Sequence, residues 1–194
     1  MRLFVALDID PDIRKRITEF RNQMKAFAPA VRWVGPETFH VTLQFLGETA
    51  KLEQIRGALE QVKNSPVPLT FRGAGFFPNP KAPRVFWVGI ASDQHLQDLV
   101  NSIAKELEPL GFERDAGPYR PHLTLARSGS GRPRPFAGEQ AAFGLQHVRV
   151  KLESLQPLEF GTMTAREFFL YESKTTPAGA KYTKLARYEL LASD

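Results

Sequence analysis

Two copies of a His-x-Thr-Leu tetrad are the residues of this sequence best suited to chemistry. They are His40-Val41-Thr42-Leu43 and His122-Leu123-Thr124-Leu125, and they use two of the four histidines in the 194 residues. Each copy lies in an apolar run that predicts a β-strand, in which alternate side chains share a face. Each motif should therefore present an imidazole beside a hydroxyl.

Two imidazoles that face each other suit acid–base chemistry near neutral pH. Histidine has an ordinary pKa of about 6.5, so a neutral ring can accept a proton while a protonated ring donates one. Such a pair fits in-line displacement at a phosphoryl group, with one proton leaving an attacking water and another joining the leaving oxygen. Thr42 and Thr124 would donate to the non-bridging oxygens. Arg127, which we expect on the same face as Thr124, would add a charge-assisted contact.

Other chemistries have less support in the sequence. Two histidines without a third ligand at a recognisable spacing, in a chain without cysteine, make a weak zinc site. We therefore expect no metal and no cofactor. No Gly-x-Ser-x-Gly pattern indicates a serine nucleophile. The other two histidines, His95 and His147, lack a threonine two positions on, and we expect surface or capping roles for them.

Composition points towards an anionic partner. Lys and Arg exceed Asp and Glu by 26 to 21, which gives a formal net charge of +5 and favours a nucleic acid or nucleotide. The absence of cysteine is consistent with a cytoplasmic protein. The first residues contain only five apolar positions before Asp8, too few for a signal peptide, and no stretch is long enough to span a membrane.

The elements that position the motifs form a repeat. An offset of 82 residues lays the second motif on the first, and it also lays Asp10 on Ser92, both good helix N-caps. Each cap precedes apolar residues at helical spacing. In the first helix these are Ile13, Ile17, Phe20, Met24 and Phe27, and in the second they are Leu96, Leu99, Val100, Ile103 and Leu107.

The rest of the chain extends this pattern. We expect a helix near 52–62, a strand near 67–76, a Pro-rich joint between the halves at 78–83, a helix near 138–145 and a strand near 148–160. The loop after the second motif carries Arg132 and Arg134, for which an exposed linker is the expected role.

The predicted fold class is α+β. It is a single bilobal domain over 1–194, with two pseudo-symmetric strand-helix-strand lobes from about 1–77 and 83–160, and a C-terminal hairpin over 165–191. Antiparallel sheets should line a central groove in which the two His-Thr pairs face each other.

The extended motifs, Phe39 to Gly47 and Arg120 to Arg127, resemble those of the two-histidine phosphoesterase superfamily. Within it the chain is similar to the RNA 2′,3′-cyclic phosphodiesterases, historically called 2′-5′ RNA ligases. The likeness covers essentially the whole chain. Further segments that carry it are Phe76-Phe77-Pro78, Pro83-Arg84-Val85-Phe86-Trp87, Leu170-Tyr171-Glu172-Ser173 and Gly179-Ala180-Lys181-Tyr182.

This resemblance implies a bilobal fold, no required metal, and hydrolysis of an RNA 2′,3′-cyclic phosphate end to a 2′-phosphomonoester. It implies that His40 is the proton donor and His122 the proton acceptor, and that Thr42, Thr124 and Arg127 bind the phosphate. We expect an RNA end or related nucleotide as partner, no membrane, and a monomer.

Two alternatives stay open. One is a non-catalytic module that binds RNA ends or nucleotides, and the other is an enzyme whose main activity is 2′-5′ RNA ligation or cleavage of 2′-5′ linkages. Tyr119 and Arg120, just before the second motif, are suited equally to contact with a terminal nucleotide and to packing or surface charge. The sequence does not single out an aromatic side chain that would stack on a base.

Overall fold

The computed structural model describes residues 1–114, 116–128, 137–155, 157–177 and 179–191, with side chains throughout except in 137–143. Its strands are β1 (Arg2–Leu7), β2 (Arg32–Trp33), β3 (Val41–Glu48), β4 (Val67–Phe77), β5 (Val85–Ser92), β6 (His122–Arg127), β7 (Glu159–Ala165), β8 (Glu167–Thr176) and β9 (Gly179–Glu189). Its helices are α1 (Pro11–Phe27), α2 (Leu52–Glu60), α3 (Gln94–Leu107) and α4 (Ala137–Glu153).

These strands form two antiparallel sheets. Sheet A has the order β3-β1-β8-β9, and sheet B has the order β2-β6-β5-β4-β7. The predicted α+β class with antiparallel sheets is confirmed. His40 directly precedes β3 in sheet A and His122 begins β6 in sheet B, so each sheet contributes one of the two motifs.

Helices α1 and α3 bury the faces that their spacing predicts. Five apolar residues of α3 are buried, as are four of α1, namely Ile13, Ile17, Phe20 and Met24. Burial of one large apolar side chain contributes about 1.5–3 kcal/mol, so these faces fix both helices on the core. Phe27, expected on the same face, is 47% exposed. Helix α3 is capped by Asp93 instead of Ser92, and the Asp93 carboxylate accepts the His95 N–H at 2.9 Å.

Sequence halves and sheets do not coincide. The Pro-rich segment 78–83, predicted as the joint between the halves, is instead the turn of a hairpin, because β4 and β5 pair from Phe77 opposite Val85. Strand β4 therefore lies in the sheet of the second motif. Strand β2 precedes the first motif in the sequence but also lies in sheet B, with Arg32 opposite Arg127 in β6. A Pro-rich turn has the same composition in a hairpin as in a linker, so the sequence alone does not separate the two.

The prediction for the region after the second motif is wrong in part. Helix α4 continues to Glu153, so Val148 is helical and β7 begins only at Glu159. Leu145, Val148 and Leu152 are buried, and their spacing fits a helix. His147 consequently lies on a helix and not before a strand. Arg132 and Arg134 lie outside the described residues.

The chain ends in an antiparallel hairpin formed by β8 and β9, in which Thr176 is opposite Gly179. Strand β8 also pairs with β1, so this hairpin completes sheet A beside the first motif. As for membranes, none of the helices in the described ranges has the length and apolar character to cross one.

Candidate active site

The first motif has a β-bulge at Leu43. Consecutive residues of β1 pair with Gln44 and Thr42, so Leu43 is an extra residue in its strand. A bulge interrupts the regular alternation of faces. Leu43 and Gln44 are consequently both buried, and the following residue, Phe45, is 56% exposed.

The second motif has its bulge at the equivalent residue, Leu125. Consecutive residues of β5 pair with Ala126 and Thr124, and Leu125 and Ala126 are both buried. Arg127 is exposed. The bulge therefore puts Arg127 on the same face as Thr124, as expected, whereas a spacing of three residues would put them on opposite faces of a regular strand.

Both imidazoles are held by the chain that precedes them. His40 Nδ1 lies 2.6 Å from the Thr38 carbonyl oxygen, and His122 Nδ1 lies 2.7 Å from the Arg120 carbonyl oxygen. A carbonyl oxygen only accepts, so each Nδ1 carries a proton and donates it. In the neutral ring, Nε2 then keeps its lone pair and can take a proton from a bound molecule.

Aromatic side chains fix the His40 ring within sheet A. Its centroid lies 4.9 Å from that of Phe4 and 5.2 Å from that of Tyr182, which meets it edge-on. Phe4 is buried, and it also stacks on Tyr171 at 5.1 Å. The ring of His40 is therefore partly enclosed by apolar surface.

The His122 ring has a similar environment in sheet B. Phe77 meets it edge-on at 4.9 Å between centroids, and the indole of Trp87 lies 6.4 Å away. Phe77 in turn packs on Trp87 at 5.0 Å. A side chain at Gly75 would overlap the Trp87 ring, so glycine is what lets the indole lie on this face.

Burial and a nearby cation make both rings weaker bases than usual. Burial lowers the pKa of His40 to about 4, and the charges of Arg127 and His122 act in the same direction. The pKa of His122 is also lowered, mainly by burial, with Arg127 adding to it. The second motif therefore contributes two of the charges that lower the pKa of His40.

The two motif threonines lie beside these rings, and both are partly buried. Thr124 follows His122 on the same face of β6 and is opposite Trp87 in β5. Thr42 occupies the corresponding place on β3. Of the five residues singled out by the motifs, Thr42 and His122 line one cavity, and Thr124 and Arg127 follow His122 on β6.

A cavity of about 260 Å³ opens beside the two motifs. Its lining includes Thr42, Phe45, Phe77, Arg114, Tyr119, Arg120 and His122. Sequence reasoning did not single out Phe45 or Arg114. For Phe45 a signal was available, because the 82-residue offset of the repeat lays it on Arg127.

Carboxylates contribute little to the site. Asp8 favours protonation of His40, but its carboxylate is engaged by Arg14 and Lys184, each at 2.6 Å. Across the described ranges, no three or more His, Cys, Asp or Glu side chains form a group that could hold a metal ion. The groups that surround the two imidazoles are thus hydroxyls, guanidinium groups and aromatic rings.

Known proteins are similar to this chain in sequence and fold. The family model of the 2′-5′ RNA ligase superfamily matches residues 9–173. An RNA 2′,3′-cyclic phosphodiesterase of Archaeoglobus fulgidus is 36% identical over 191 residues, which cover 97% of this chain and 100% of that protein. One of Methanothermobacter thermautotrophicus is 33% identical, with 98% and 99% coverage.

Two solved structures extend the likeness to three dimensions. The protein TT0787 of Thermus thermophilus matches with a TM-score of 0.77 and 26% identity over 98% of both chains. E. coli LigT in complex with 3′-AMP matches with a TM-score of 0.75 and 26% identity over 97% of both chains. The similarity therefore covers both sheets and both motifs.

Proposed function

The chain belongs to the 2′-5′ RNA ligase superfamily, and we propose that it is a metal-independent phosphodiesterase acting on RNA 2′,3′-cyclic phosphate ends. One observation carries the mechanism. Two carbonyl oxygens, of Thr38 and Arg120, hold Nδ1 of His40 and His122, which leaves Nε2 of each ring to exchange protons with a substrate. The names of the relatives support the substrate, and the paired imidazoles support the chemistry.

In the proposed reaction, water attacks phosphorus and the bond to the 3′ oxygen breaks. His122 Nε2 takes a proton from the attacking water, and His40 Nε2 gives a proton to the departing 3′ oxygen. The products are a 2′-phosphomonoester and a free 3′-hydroxyl. This assignment of donor and acceptor follows the resemblance to the family, since both rings are held in the same way.

Thr42, Thr124 and Arg127 would bind the non-bridging oxygens. Hydroxyl and guanidinium donors stabilise the charge that develops on these oxygens as water attacks. Arg127 is suited to a two-point contact because its planar group matches two oxygens of one phosphate.

The terminal nucleoside would occupy the cavity beside the motifs. Phe45 offers an exposed ring there, and exposed aromatic rings bind bases by stacking. Arg114 and Arg120 line the same cavity and place positive charge near the sugar and phosphate. A groove of this kind suits the end of an RNA strand, where the terminal base can unstack from its neighbour.

The decisive experiment is product analysis. An oligoribonucleotide with a 2′,3′-cyclic phosphate end is incubated with the protein, with and without a metal chelator. The terminal phosphate is then identified by ³¹P NMR and by chromatography against authentic 2′- and 3′-phosphate standards. We expect complete conversion to the 2′-phosphate, unaffected by chelator.

Matched variants test the two histidines. His40→Ala and His122→Ala should each lower kcat by at least about 10²-fold, because each removes one proton transfer. His95→Ala is the control, since this ring is 48% exposed on α3 and pairs with Asp93 away from the groove. Activity retained in either groove variant would overturn the two-histidine mechanism.

Other outcomes would favour the alternatives. Tight binding of RNA ends without any product would indicate a binding module. Joined strands, or cleavage of a 2′-5′ linkage faster than opening of the cyclic phosphate, would make that reaction the main activity. A 3′-phosphate product would contradict the proposed direction of ring opening.

A further inference from the structure

Tyr119 connects the two motifs. It lies three residues before His122, yet its hydroxyl donates to the carbonyl oxygen of Thr42 in the other motif, at 2.8 Å. Burial raises the pKa of Tyr119 above its ordinary value, so the hydroxyl keeps the proton that it donates. The segment that leads into the second histidine is thereby bound to the strand of the first.

A reciprocal bond runs in the opposite direction. The N–H of Val34, in the segment that leads to the first motif, donates to the carbonyl oxygen of Leu125 in the second motif at 2.8 Å. Just before it, Arg32 and Trp33 pair with β6. The chain before each motif is thus hydrogen-bonded to the strand of the other.

The distance between His40 and His122 depends on such cross-connections. Strands β3 and β6 belong to different sheets, so a backbone ladder does not set their separation. Both imidazoles must reach one phosphate from two sides, and an error of 1 Å in such an arrangement can cost about 10²-fold in rate. A short bond through a rigid ring is suited to this task.

We propose that Tyr119 is a positioning residue that sets the spacing of the two motifs around the phosphate. Only the expected effect of Tyr119 on turnover rests on the proposed function. The same spacing governs how both motifs bind a free phosphate ion, which needs no reaction. The bond from Val34 remains when the Tyr119 hydroxyl is removed, so the lobes stay joined while their relative position relaxes.

Tyr119→Phe is the test, because it removes one oxygen and keeps the ring. Neighbouring bonds should preserve the fold, since Gln44 Nε2 donates to the Phe112 carbonyl at 3.3 Å and Lys51 Nζ donates to the Leu110 carbonyl at 2.8 Å. The matched control is Tyr188→Phe. Tyr188 is buried, and its hydroxyl has no hydrogen-bond partner among the described residues.

We expect Tyr119→Phe to lower kcat about tenfold while KM changes by less than about twofold. We also expect it to weaken inorganic phosphate binding several-fold, measured by ¹⁵N NMR of the His40 and His122 rings. Tyr188→Phe should match the wild type in both measurements. Histidine signals of folded and unfolded molecules differ in NMR, so the phosphate titration follows the folded protein even where the variant is less stable.

Two results would overturn the proposal. One is a wild-type kcat and phosphate affinity in Tyr119→Phe. The other is a loss of activity that only follows the loss of folded protein by circular dichroism, with unchanged phosphate affinity. If the wild type does not open the cyclic phosphate but phosphate binding still depends on the Tyr119 hydroxyl, the proposed function fails and the positioning role stands.

Discussion

Phe45 and Arg127 occupy equivalent positions in the two halves of the groove. Each follows its motif histidine by five residues, and each comes two residues after a bulged leucine, Leu43 or Leu125. In both strands the bulge buries two successive residues and exposes the next. The same kind of β-bulge therefore exposes an aromatic ring on sheet A and a guanidinium group on sheet B.

Phe45→Ala should weaken the binding of nucleotide substrates. Stacking of one base on an aromatic ring contributes about 1–3 kcal/mol, so we expect KM to rise about 5- to 150-fold with a smaller change in kcat. The measurement is steady-state kinetics with a cyclic-phosphate oligonucleotide. Phe27→Ala, at a similarly exposed phenylalanine on α1, is the control. An unchanged KM in Phe45→Ala would show that the base binds elsewhere.

Arg127→Met should lower kcat/KM about 10²- to 10³-fold, the usual effect of losing one donor to a developing oxyanion. It should also raise the pKa of His40 and of His122, because the positive charge of Arg127 disfavours their protonated forms. Histidine NMR titration measures this directly.

Arg127→Lys is the matched variant for charge. It keeps the cation but loses the two-point contact, so the histidine pKa values should stay near those of the wild type while kcat/KM falls about tenfold. If both variants shift the pKa values equally, the charge of Arg127 is not the cause.

The histidines were predictable from sequence because a doubled motif on an alternating strand fixes both residue type and face. The exposure of Phe45 does not follow from that alternation, since a bulge reverses it, and only the alignment of Phe45 with Arg127 in the repeat indicates it. Strand β2 escaped prediction for another reason. Arg32–Trp33 has only two residues, too few for any period, and it forms only by pairing with β6.

The error at 148–160 has a related cause. Valine and leucine at positions 145, 148, 150 and 152 fit a strand by residue type and a helix by spacing. Contact with the rest of the protein decides in favour of the helix, where α4 packs on α1. Long-range packing of this kind is not encoded in a local window.

The pH dependence of turnover should differ between the free and the bound enzyme. Burial holds the pKa of His40 at about 4 and lowers that of His122 in the free protein. An anionic phosphate beside both rings favours their protonated forms and raises both values. Because kcat/KM reports the free enzyme and kcat reports the complex, the optimum of kcat/KM should lie at lower pH than that of kcat. Coincident optima would contradict this.

The lowered pKa of His40 should also make the free energy of unfolding depend on pH. His40 has an ordinary pKa of about 6.5 when unfolded and about 4 when folded, so the unfolded chain binds more protons between these values. The free energy of unfolding therefore falls as the pH is lowered from 7 to 4, by about 3 kcal/mol from this group. The change in the free energy of unfolding between pH 7 and 4, measured by urea denaturation, should be about 3 kcal/mol larger for the wild type than for His40→Gln. Parallel curves would exclude a buried neutral ring at this position.

Gly75→Ala tests whether the indole of Trp87 keeps His122 in place. The new methyl group would overlap the Trp87 ring, which lies 6.4 Å from the imidazole of His122 between centroids. Relief of this overlap requires the indole to move, so we expect a loss of about 1–3 kcal/mol in the free energy of unfolding and about a tenfold lower kcat. Chemical denaturation and steady-state kinetics measure the two effects.

Gly57→Ala is the control, because an added Cβ at this α2 glycine meets nothing within 4 Å. Alanine is favoured over glycine inside a helix, so this variant should gain about 0.5–1 kcal/mol and keep wild-type kcat. A Gly75→Ala protein that loses stability but keeps its kcat would mean that the indole yields away from His122. Support of the imidazole would then rest on Phe77 and the Arg120 carbonyl alone.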